Sequence, residues 1–386
     1  MLNDLPDDVT SVLMAGIALA AWLVLGLARG GFWRILGGIL PILSVKNVPK
    51  NVSITAVIPA RDEAAVIGRA VKSLLSQRFS GTLRVIVVDD HSIDGTAAAA
   101  RAIGSVSSCL QVIAAGPLPQ GWTGKLWALS EGLREAAIDS PDFFLLTDAD
   151  ILHSPDNIER IAGAALAGGL DLVSLMVRLR CESLAERALI PAFVFFFFLL
   201  YPPSWIANPK KETAGAAGGC ILIRPEALER IGGLQSIRGE LIDDCALARA
   251  VKSSGGRIRL GVTADTHSIR EYGGFADIER MIRRTAFTQL GYSPWLLAGT
   301  LLGMALVYLA PPALVLMGNP TARVLAALAW LLMALLFVPT LRFYRQSVLW
   351  APLLPLIAAF YMWATLDSAF HYWTGRGGEW KGRVSG

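Results

Sequence analysis

Residues 85–96 read Val-Ile-Val-Val-Asp-Asp-His-Ser-Ile-Asp-Gly-Thr, and they decide the fold class of this chain. The apolar run 83–88 is short and β-branched, which is typical of a buried parallel strand. Two carboxylates, Asp89 and Asp90, follow at the carboxyl end, where open α/β sheets bind their ligands. The alternative is that residues 92–96 form only a turn and the N-cap of a helix over 97–102.

A second strand also ends in carboxylates. Residues 143–147 read Phe-Phe-Leu-Leu-Thr, and Asp148-Ala149-Asp150 follow directly. Two acidic strand ends in one domain indicate a nucleotide and a metal ion.

Strands and helices alternate through this half of the chain. A strand over 52–58 ends at Pro59-Ala-Arg61-Asp-Glu63, and a helix over 64–76 follows. A short strand over 110–114 and a helix over 125–137 complete a βαβαβ pattern, which predicts an α/β fold with a mostly parallel sheet. No GxGxxG follows the first strand, which argues against a Rossmann dehydrogenase or a typical methyltransferase.

A glycine-containing loop precedes the helix over 125–137. Residues 117–125, Pro-Leu-Pro-Gln-Gly-Trp-Thr-Gly-Lys, carry Lys125 into the helix N-terminus, a suitable position for binding phosphate. The alternative is a surface turn with a solvated lysine.

The second half is less regular. We expect a strand over 170–179 and a close backbone approach at the glycines of 214–223. The apolar segment 188–206 is interrupted by prolines and flanked by cations, so a bent interfacial helix is favoured over a membrane span. Asp243 and Asp244 open a helix to about Ser253, either as ordinary capping residues or with a general base among them.

Composition predicts a soluble domain with membrane segments at its ends. The 386 residues are 54% hydrophobic with a mean hydropathy of +0.50. Residues 11–28 form an uncharged run long enough to span a bilayer, and the cations that follow place the next domain in the cytoplasm. We expect an interfacial segment over 32–43. The predicted domains are a membrane anchor (1–50), a catalytic domain (51–292), and membrane helices with a basic tail (293–386).

The C-terminal segments 295–317, 324–341 and 348–366 are each long and apolar enough to cross the inner membrane. Three crossings would leave the tail outside, whereas its cations, Arg376, Lys381 and Arg383, favour the inside. One resolution is that Pro311-Pro312 break the first segment into a re-entrant or interfacial one. The number of crossings stays open.

Charge and cysteine content exclude other classes. The net charge of +4 carries no aromatic-interleaved basic stripe, so nucleic acid is not an expected partner. Four cysteines without CxxC spacing are expected to be free and mostly buried thiols.

Together, residues 54–290 resemble a family 2 glycosyltransferase with the GT-A fold. The resemblance is carried by Pro59-Ala-Arg-Asp-Glu63, the DDxSxDGT string at 89–96, the DxD element 148–150 and the acidic pair 243–244. The string Gly121-Trp-Thr-Gly-Lys-Leu-Trp-Ala128, the Phe-rich segment and the membrane layout further resemble the bacterial hopene-associated glycosyltransferases.

The resemblance implies a role for individual residues. It implies that Asp90 binds the nucleotide base, that Pro59, Arg61 and Glu63 line the nucleoside, and that Asp148 lies near the ribose and diphosphate. It places Mg²⁺ or Mn²⁺ at Asp150, whose hard oxygen ligands suit these ions. Asp244 would be the catalytic carboxylate, beside Asp243, where the family usually has Glu. The QxxRW element has no clean match, so the leaving-group role is divided between Arg283 and Arg284.

The expected activity is therefore inverting transfer of one sugar from a nucleotide-sugar donor, usually a UDP-sugar, to a lipid hydroxyl, with a hopanoid as the implied acceptor. Asp244 would take the acceptor proton, and Lys125 would join the arginines in offsetting the charge of the leaving diphosphate. Three alternatives remain: a sugar-phosphate nucleotidyltransferase, a processive polysaccharide synthase and a non-catalytic membrane scaffold.

Overall fold

The computed structural model describes residues 5–35, 48–104, 108–375, 379–380 and 383–384. The chain divides into two compact units. The α/β unit comprises residues 37–180, 205–271 and 378–386, and the helical unit comprises residues 1–36, 181–204 and 272–377. Most of the expected interfacial segment 32–43 lies outside the described residues, as do Arg376 and Lys381 of the tail.

The secondary structure is numbered in chain order. The helices are α1 (Leu5–Ala28), α2 (Ala64–Leu75), α3 (Thr96–Gly104), α4 (Gly124–Ala136), α5 (Asn157–Gly168), α6 (Leu184–Leu200), α7 (Pro203–Ile206), α8 (Pro225–Arg230), α9 (Asp243–Ser253), α10 (Phe275–Gln289), α11 (Pro294–Met304), α12 (Ala310–Met317), α13 (Pro320–Phe343) and α14 (Leu354–Trp373). The strands are β1 (Ser53–Ala60), β2 (Thr82–Asp89), β3 (Leu110–Ala114), β4 (Phe143–Leu146), β5 (Ile151–Leu152), β6 (Leu172–Arg178), β7 (Ile221–Ile223), β8 (Ile258–Ser268), β9 (Glu379–Trp380) and β10 (Arg383–Val384).

The α/β unit is built on one mixed sheet in the order β3-β2-β1-β4-β7-β6-β8-β5. The pairs β1–β2, β1–β4, β2–β3 and β6–β8 are parallel, and β7 runs antiparallel between β4 and β6. The predicted α/β fold class is confirmed, although the second half of the sheet is more mixed than the βαβαβ pattern indicated. This arrangement is consistent with the GT-A fold.

Strand register brings the acidic strand ends to one edge of the sheet. Ala60 pairs with Asp89, and Val57 pairs with Leu146, so the segments that begin at Arg61, Asp90 and Thr147 leave the sheet on the same side. Because β7 is antiparallel to β4 and pairs Ile221 with Leu146, the residues that precede β7 also lie at this edge.

The central strands are buried on both faces. Every residue of β1 beyond Ser53 is buried, as is all of β4, which explains their continuous apolar sequences. Helix α4 packs very closely on the sheet at Gly132, where an added Cβ would lie 2.4 Å from Val57 Cγ1 and 2.7 Å from Val88 Cγ2. A larger residue here would force α4 or these two valines to shift.

In the helical unit, small residues bring α1 and α13 together. Ala15 of α1 and Ala322 and Ala326 of α13 form one buried cluster, and Asn319 Nδ2 donates to the Asp8 carbonyl at 3.1 Å. Close packing of small side chains is the usual way in which helices associate in lipid.

The helix over 294–317 is continuous through Pro311-Pro312, so the expected break is absent. A π-helical turn over Ala305–Leu309 joins α11 to α12. Neither proline has an N–H, so the Val307 carbonyl has no donor four or five residues ahead. The indole Nε1 of Trp22 in α1 donates to this carbonyl at 2.9 Å instead.

Among the residues that the structure describes, five helical segments are long and apolar enough to cross a membrane: Asp8–Ala28, Leu184–Ile206, Pro294–Met317, Pro320–Phe343 and Val348–Trp373. The second differs from the others in its connections. The chain on both sides of it belongs to the same sheet, since β6 before it pairs with β7 after it. Its two ends must therefore emerge on the same side of a membrane, which excludes a single crossing.

The Phe-rich helix α6 contributes to the core of the helical unit. A capping box at Ser183 and Glu186 starts the helix, and Phe195 is fully buried against Phe32 and Phe337. Phe198 is also buried.

The four cysteines are free, as predicted. Only Cys220 and Cys245 are buried, because Cys109 lies in an exposed position before β3 and Cys181 is half-buried.

Candidate active site

Four charged side chains meet at the carboxyl edge of the sheet. Lys125 Nζ, at the start of α4, lies 3.1 Å from Asp148 Oδ1 and 3.1 Å from Asp243 Oδ2. The carboxylates come from positions 95 residues apart in the sequence, one after β4 and one at the start of α9. Lys125 is therefore an ion-paired residue of the sheet edge and not a solvated surface lysine.

The loop before Lys125 is held in place by its own residues. Trp122 is buried and packs edge-on against Trp127 at a ring distance of 5.3 Å. The Thr123 N–H donates to the Arg238 carbonyl at 2.9 Å, and the Thr123 side chain caps α4. The loop is thus tied to the segment that leads into Asp243 and Asp244.

Asp244 is held by two backbone donors. Its Oδ2 accepts from Gly218 N at 2.9 Å and its Oδ1 accepts from Cys245 N at 2.7 Å. Gly218 lies close beside it, because a Cβ there would be 3.4 Å from both Asp244 Oδ2 and Lys125 Nζ. The side chain is consequently fixed in orientation next to Lys125.

Burial and the mutual charges of this cluster shift the pKa values of its members. Burial, with the charge of Asp243, raises the pKa of Asp244 to about 6, against the opposing effect of Lys125. Burial also raises the pKa of Asp148, while Lys125 lowers it. Burial alone would lower the pKa of Lys125, but the three carboxylates outweigh this effect and raise it. Lys125 therefore stays cationic, and Asp244 can exchange a proton near neutral pH.

The predicted nucleoside residues form a second group. Arg61 Nη1 donates to the Asp90 carbonyl at 2.6 Å and lies 3.6 Å from Asp90 Oδ2, and Asp90 is fully buried. Pro59 is buried in β1 and lines the same pocket as Lys125, Asp148 and Asp244. Glu63 precedes α2, and its N–H donates to Thr96 Oγ1 at 2.8 Å.

The DDxSxDGT string also fastens two loops to each other. The Asp62 N–H donates to Ser92 Oγ at 3.0 Å, and Asp94 Oδ2 accepts from Ala64 N at 2.9 Å. Asp62 and His91 both have left-handed backbone conformations, with φ of 50° and 55°. Such conformations are uncommon for residues other than glycine and often occur at functional sites. Asp94 therefore has two contacts. It accepts from the first residue of α2, and it also accepts from Thr96 N within the predicted turn before α3.

Asp150 has partners that the sequence did not reveal. Its Oδ2 accepts from Ser268 Oγ at 2.5 Å and lies 3.3 Å from Arg270 Nε, and Arg270 Nη2 contacts Glu63 Oε1 at 2.6 Å. Ser268 ends β8 and Arg270 follows it. This strand was missed because its polar and apolar residues alternate irregularly and no motif marks its end.

The carboxylates at this edge suit a hard divalent cation whose coordination a bound ligand would complete. Over the described residues no three His, Cys, Asp or Glu side chains gather as a metal cluster. Mg²⁺ is commonly held by one or two carboxylates together with substrate phosphates and water. Asp148 and Asp150 can supply these carboxylates, and the side-chain contacts of Asp150 with Ser268 and Arg270 leave one of its two oxygens available.

Arg283 and Arg284 lie in the helical unit, on α10. Arg283 Nη1 is 3.2 Å from Asp367 Oδ2 and 2.9 Å from His371 Nε2, both on α14. Arg284 is exposed. Their assignment to the leaving group stays a prediction.

Comparison with known proteins identifies the class of this domain. Residues 55–232 match the model of glycosyl transferase family 2. An uncharacterized protein of Methanocaldococcus jannaschii is 32% identical over 119 residues, which cover 31% of this chain and 44% of that protein. The chain thus matches less than half the length of this relative.

A solved structure has the same fold over nearly the whole chain. It is the mannosyltransferase PcManGT from Pyrobaculum calidifontis in complex with GDP-Man and Mn²⁺, with a TM-score of 0.56 at 18% identity, covering 95% of this chain and 99% of that one. The match over residues 55–232 supports the resemblance to family 2 glycosyltransferases over this part of the chain. The resemblance to the hopene-associated enzymes stays a prediction.

Proposed function

We propose that this chain is a membrane-bound inverting glycosyltransferase, which transfers one sugar from a nucleoside diphosphate sugar to a lipid hydroxyl. The observation that carries the proposal is the convergence of Lys125, Asp148, Asp243 and Asp244 at the carboxyl edge of a family 2 domain.

The donor would bind across the ends of β1, β2 and β4. Asp90, Arg61, Pro59 and Glu63 would hold the nucleoside, and Asp148 would lie near the ribose and diphosphate. The presence of GDP-Man and Mn²⁺ in the mannosyltransferase of similar fold supports a nucleotide-sugar donor and a divalent cation.

A bound Mg²⁺ or Mn²⁺ at Asp150 would supply positive charge to the diphosphate oxygens. Lys125 would offset the remaining charge of the leaving group. Its ion pairs with Asp148 and Asp243 keep a cation at the site before any donor arrives. Arg270, which contacts both Asp150 and Glu63, adds a second cation at the metal side.

Asp244 would act as the general base. An acceptor hydroxyl must lose its proton as it attacks the anomeric carbon, and a carboxylate with a pKa of about 6 can accept this proton at neutral pH. Asp243 would orient the acceptor. Only one carboxylate is assigned to proton removal and none to a covalent sugar intermediate, which favours a single displacement with inversion.

A lipid acceptor is supported by two features. Eight of the fourteen residues that line the pocket beside Asp244 are apolar: Pro59, Leu126, Leu129, Leu146, Ile221, Leu234, Ile237 and Leu247. The helical unit supplies helices suited to the bilayer, with exposed side chains such as Leu302, Leu316 and Trp363. A hopanoid is the acceptor that the sequence resemblance implies.

The test is mass spectrometry of lipid extracts from cells with and without the gene, followed by transfer assays of the purified protein with UDP- and GDP-sugars. We expect one lipid to lose a single hexose-like mass when the gene is deleted. A nucleotide sugar formed from a sugar phosphate, with no lipid product, would instead identify a nucleotidyltransferase.

A further inference from the structure

A buried chain of hydrogen bonds lies behind the Asp148–Asp150 segment. Asn157 Nδ2 is 3.0 Å from His153 Nδ1, and His153 Nε2 is 2.9 Å from Thr147 Oγ1. Thr147 Oγ1 donates to the Gly219 carbonyl at 2.8 Å. The three side chains are at most 5% exposed, and the sequence pattern had not marked any of them as functional.

The direction of every bond in this chain is determined. A carbonyl oxygen only accepts, so the single hydroxyl proton of Thr147 goes to Gly219. Thr147 must therefore accept from His153, which places the proton of the imidazole on Nε2. Nδ1 then accepts from the Asn157 amide.

This series of hydrogen bonds ends at the turn over 217–219, which contacts Asp244. Thr147, which follows β4, fixes this turn through Gly219. Ser174 of β6 fixes it as well, because its Oγ donates to the Ala217 carbonyl at 3.0 Å and accepts from Ala217 N at 2.8 Å. Between these anchors, Gly218 N donates to Asp244 Oδ2 at 2.9 Å.

We propose that His153 is a positioning residue: acting through Thr147, it fixes the turn over 217–219 so that the Gly218 N–H is aimed at Asp244. This inference rests on the proposed role of Asp244 as the base. Burial lowers the pKa of His153 to about 3, so the imidazole stays neutral and its hydrogen bonds keep one direction at working pH.

Release of the turn over 217–219 would change the pKa of Asp244. Burial and Asp243 raise its pKa, while Lys125, itself paired with Asp148 and Asp243, and the N–H groups of Cys245 and Gly218 lower it. If the turn is released, the Gly218 contribution is lost and the pKa of Asp244 should rise.

The test compares Thr147→Val with Thr147→Ser. Valine keeps the shape but removes the hydroxyl, whereas serine keeps the hydroxyl. We expect Thr147→Val to lower kcat by roughly 10-fold, and to move the acidic limb of the pH–rate profile upward by roughly 0.5 to 1 unit. Donor affinity should not change, and Thr147→Ser should recover most of the rate.

Ile161→Val is the matched stability control. Ile161 is fully buried on α5, the helix that carries Asn157, and it takes no part in the hydrogen-bond chain. This variant should lower the melting temperature and leave the pH–rate profile in place. An unshifted profile in Thr147→Val, or a serine variant as slow as the valine variant, would overturn the proposal.

A second measurement does not depend on activity. The chain has four histidines, so ¹⁵N spectra of histidine-labelled protein can be assigned to His153 by difference with His153→Phe. We expect a neutral imidazole with the proton on Nε2 down to pH 5. A resonance that titrates above pH 5, or a proton on Nδ1, would refute the chain of bonds even if Thr147→Val did not fold. Wild-type protein without transferase activity but with the expected ¹⁵N spectrum would instead count against the proposed function alone.

Discussion

Lys125 neutralises a site that is otherwise strongly acidic. Three carboxylates act on this one side chain, and its pKa is raised in spite of burial. A nucleoside diphosphate would offer competing anions, so donor binding would draw Lys125 away from Asp148 and Asp243 without leaving the lysine unpaired. The same side chain would thus be ion-paired both before and after the donor binds.

Replacing Asp244 should separate the base from its acidic neighbour. Asp244→Asn keeps the shape and removes the basic lone pair, so single-turnover transfer should slow by roughly 10²-fold or more while donor affinity stays unchanged. Asp243→Asn should be milder in turnover, since Asp243 pairs with Lys125 and opens α9. A dead Asp243→Asn beside an active Asp244→Asn would place the base on the other carboxylate.

The rate should fall as the pH drops through about 6. The folded-state pKa of Asp244 is raised to about 6, and a general base acts only when it is deprotonated. Transfer should therefore be full above this pH and decline below it, with one proton taken up. The pH dependence of kcat with saturating donor measures this, and a rate that is flat from pH 7 to pH 5 would contradict the assignment.

Binding of Mg²⁺ or Mn²⁺ is predicted to depend on Asp150. Asp150→Asn should abolish transfer and remove the dependence of nucleotide binding on Mn²⁺ or Mg²⁺. Binding of the nucleotide, measured by calorimetry with and without metal, reports this independently of turnover. Full activity of the wild-type protein in EDTA would rule the metal assignment out.

Helix α4 connects the core of the sheet to the carboxyl edge where the charged side chains meet. Gly132 lets it approach β1 and β2, and Lys125 stands at its first turn. The position of Lys125 is therefore set by packing two turns further along the helix.

Gly132→Ala should test this connection. The added Cβ would overlap the side chains of Val57 and Val88, so the helix must shift, and overpacking of this kind usually lowers stability by about 1–3 kcal/mol. We expect a lower denaturation midpoint together with weaker donor binding. Gly116→Ala serves as the control, because its nearest neighbour is the Glu131 side chain at 3.4 Å. Equal stability of the two variants would argue against the close approach.

The sequence allowed the first half of the sheet to be predicted, because its strands are short apolar runs that end in motifs. It did not reveal β8, whose residues lack a simple period, or the pairing of Asp150 with Arg270, which are 120 residues apart. Nor did the sequence show that Phe195 and Phe198 of the apolar segment 188–206 are core residues. Both side chains are buried in the helical unit, so their replacement by Ser would damage packing.

The connections of α6 to β6 and β7 limit the possible membrane topologies of the molecule. With Leu184–Ile206 excluded as a single crossing, four candidate spans remain. Three of them follow the α/β unit, and the continuous helix over 294–317 removes the main argument for making the first one re-entrant. Three crossings would separate the C-terminal residues from the α/β unit, but residues 378–386 belong to that unit, so we expect an even number of these three segments to cross.

We therefore expect the C-terminal residues and the rest of the α/β unit to lie on the same side of the membrane, which the cations of the tail also favour. Reporter fusions after residue 386 and within the exposed turn near Gly232 should give the same signal, with an alkaline phosphatase fusion inactive at both positions. Opposite signals would show that all three segments cross.

The bond from Trp22 to the Val307 carbonyl means that the N-terminal helix cannot be exchanged for a generic anchor. A substitute helix of equal length and hydrophobicity but without this indole would leave one carbonyl in the π-helical turn without a hydrogen-bond donor. Trp22 of α1 thus supplies the donor that Pro311 and Pro312, nearly three hundred residues later, cannot supply. We expect a substitution of Trp22 to be tolerated only together with a change at these prolines.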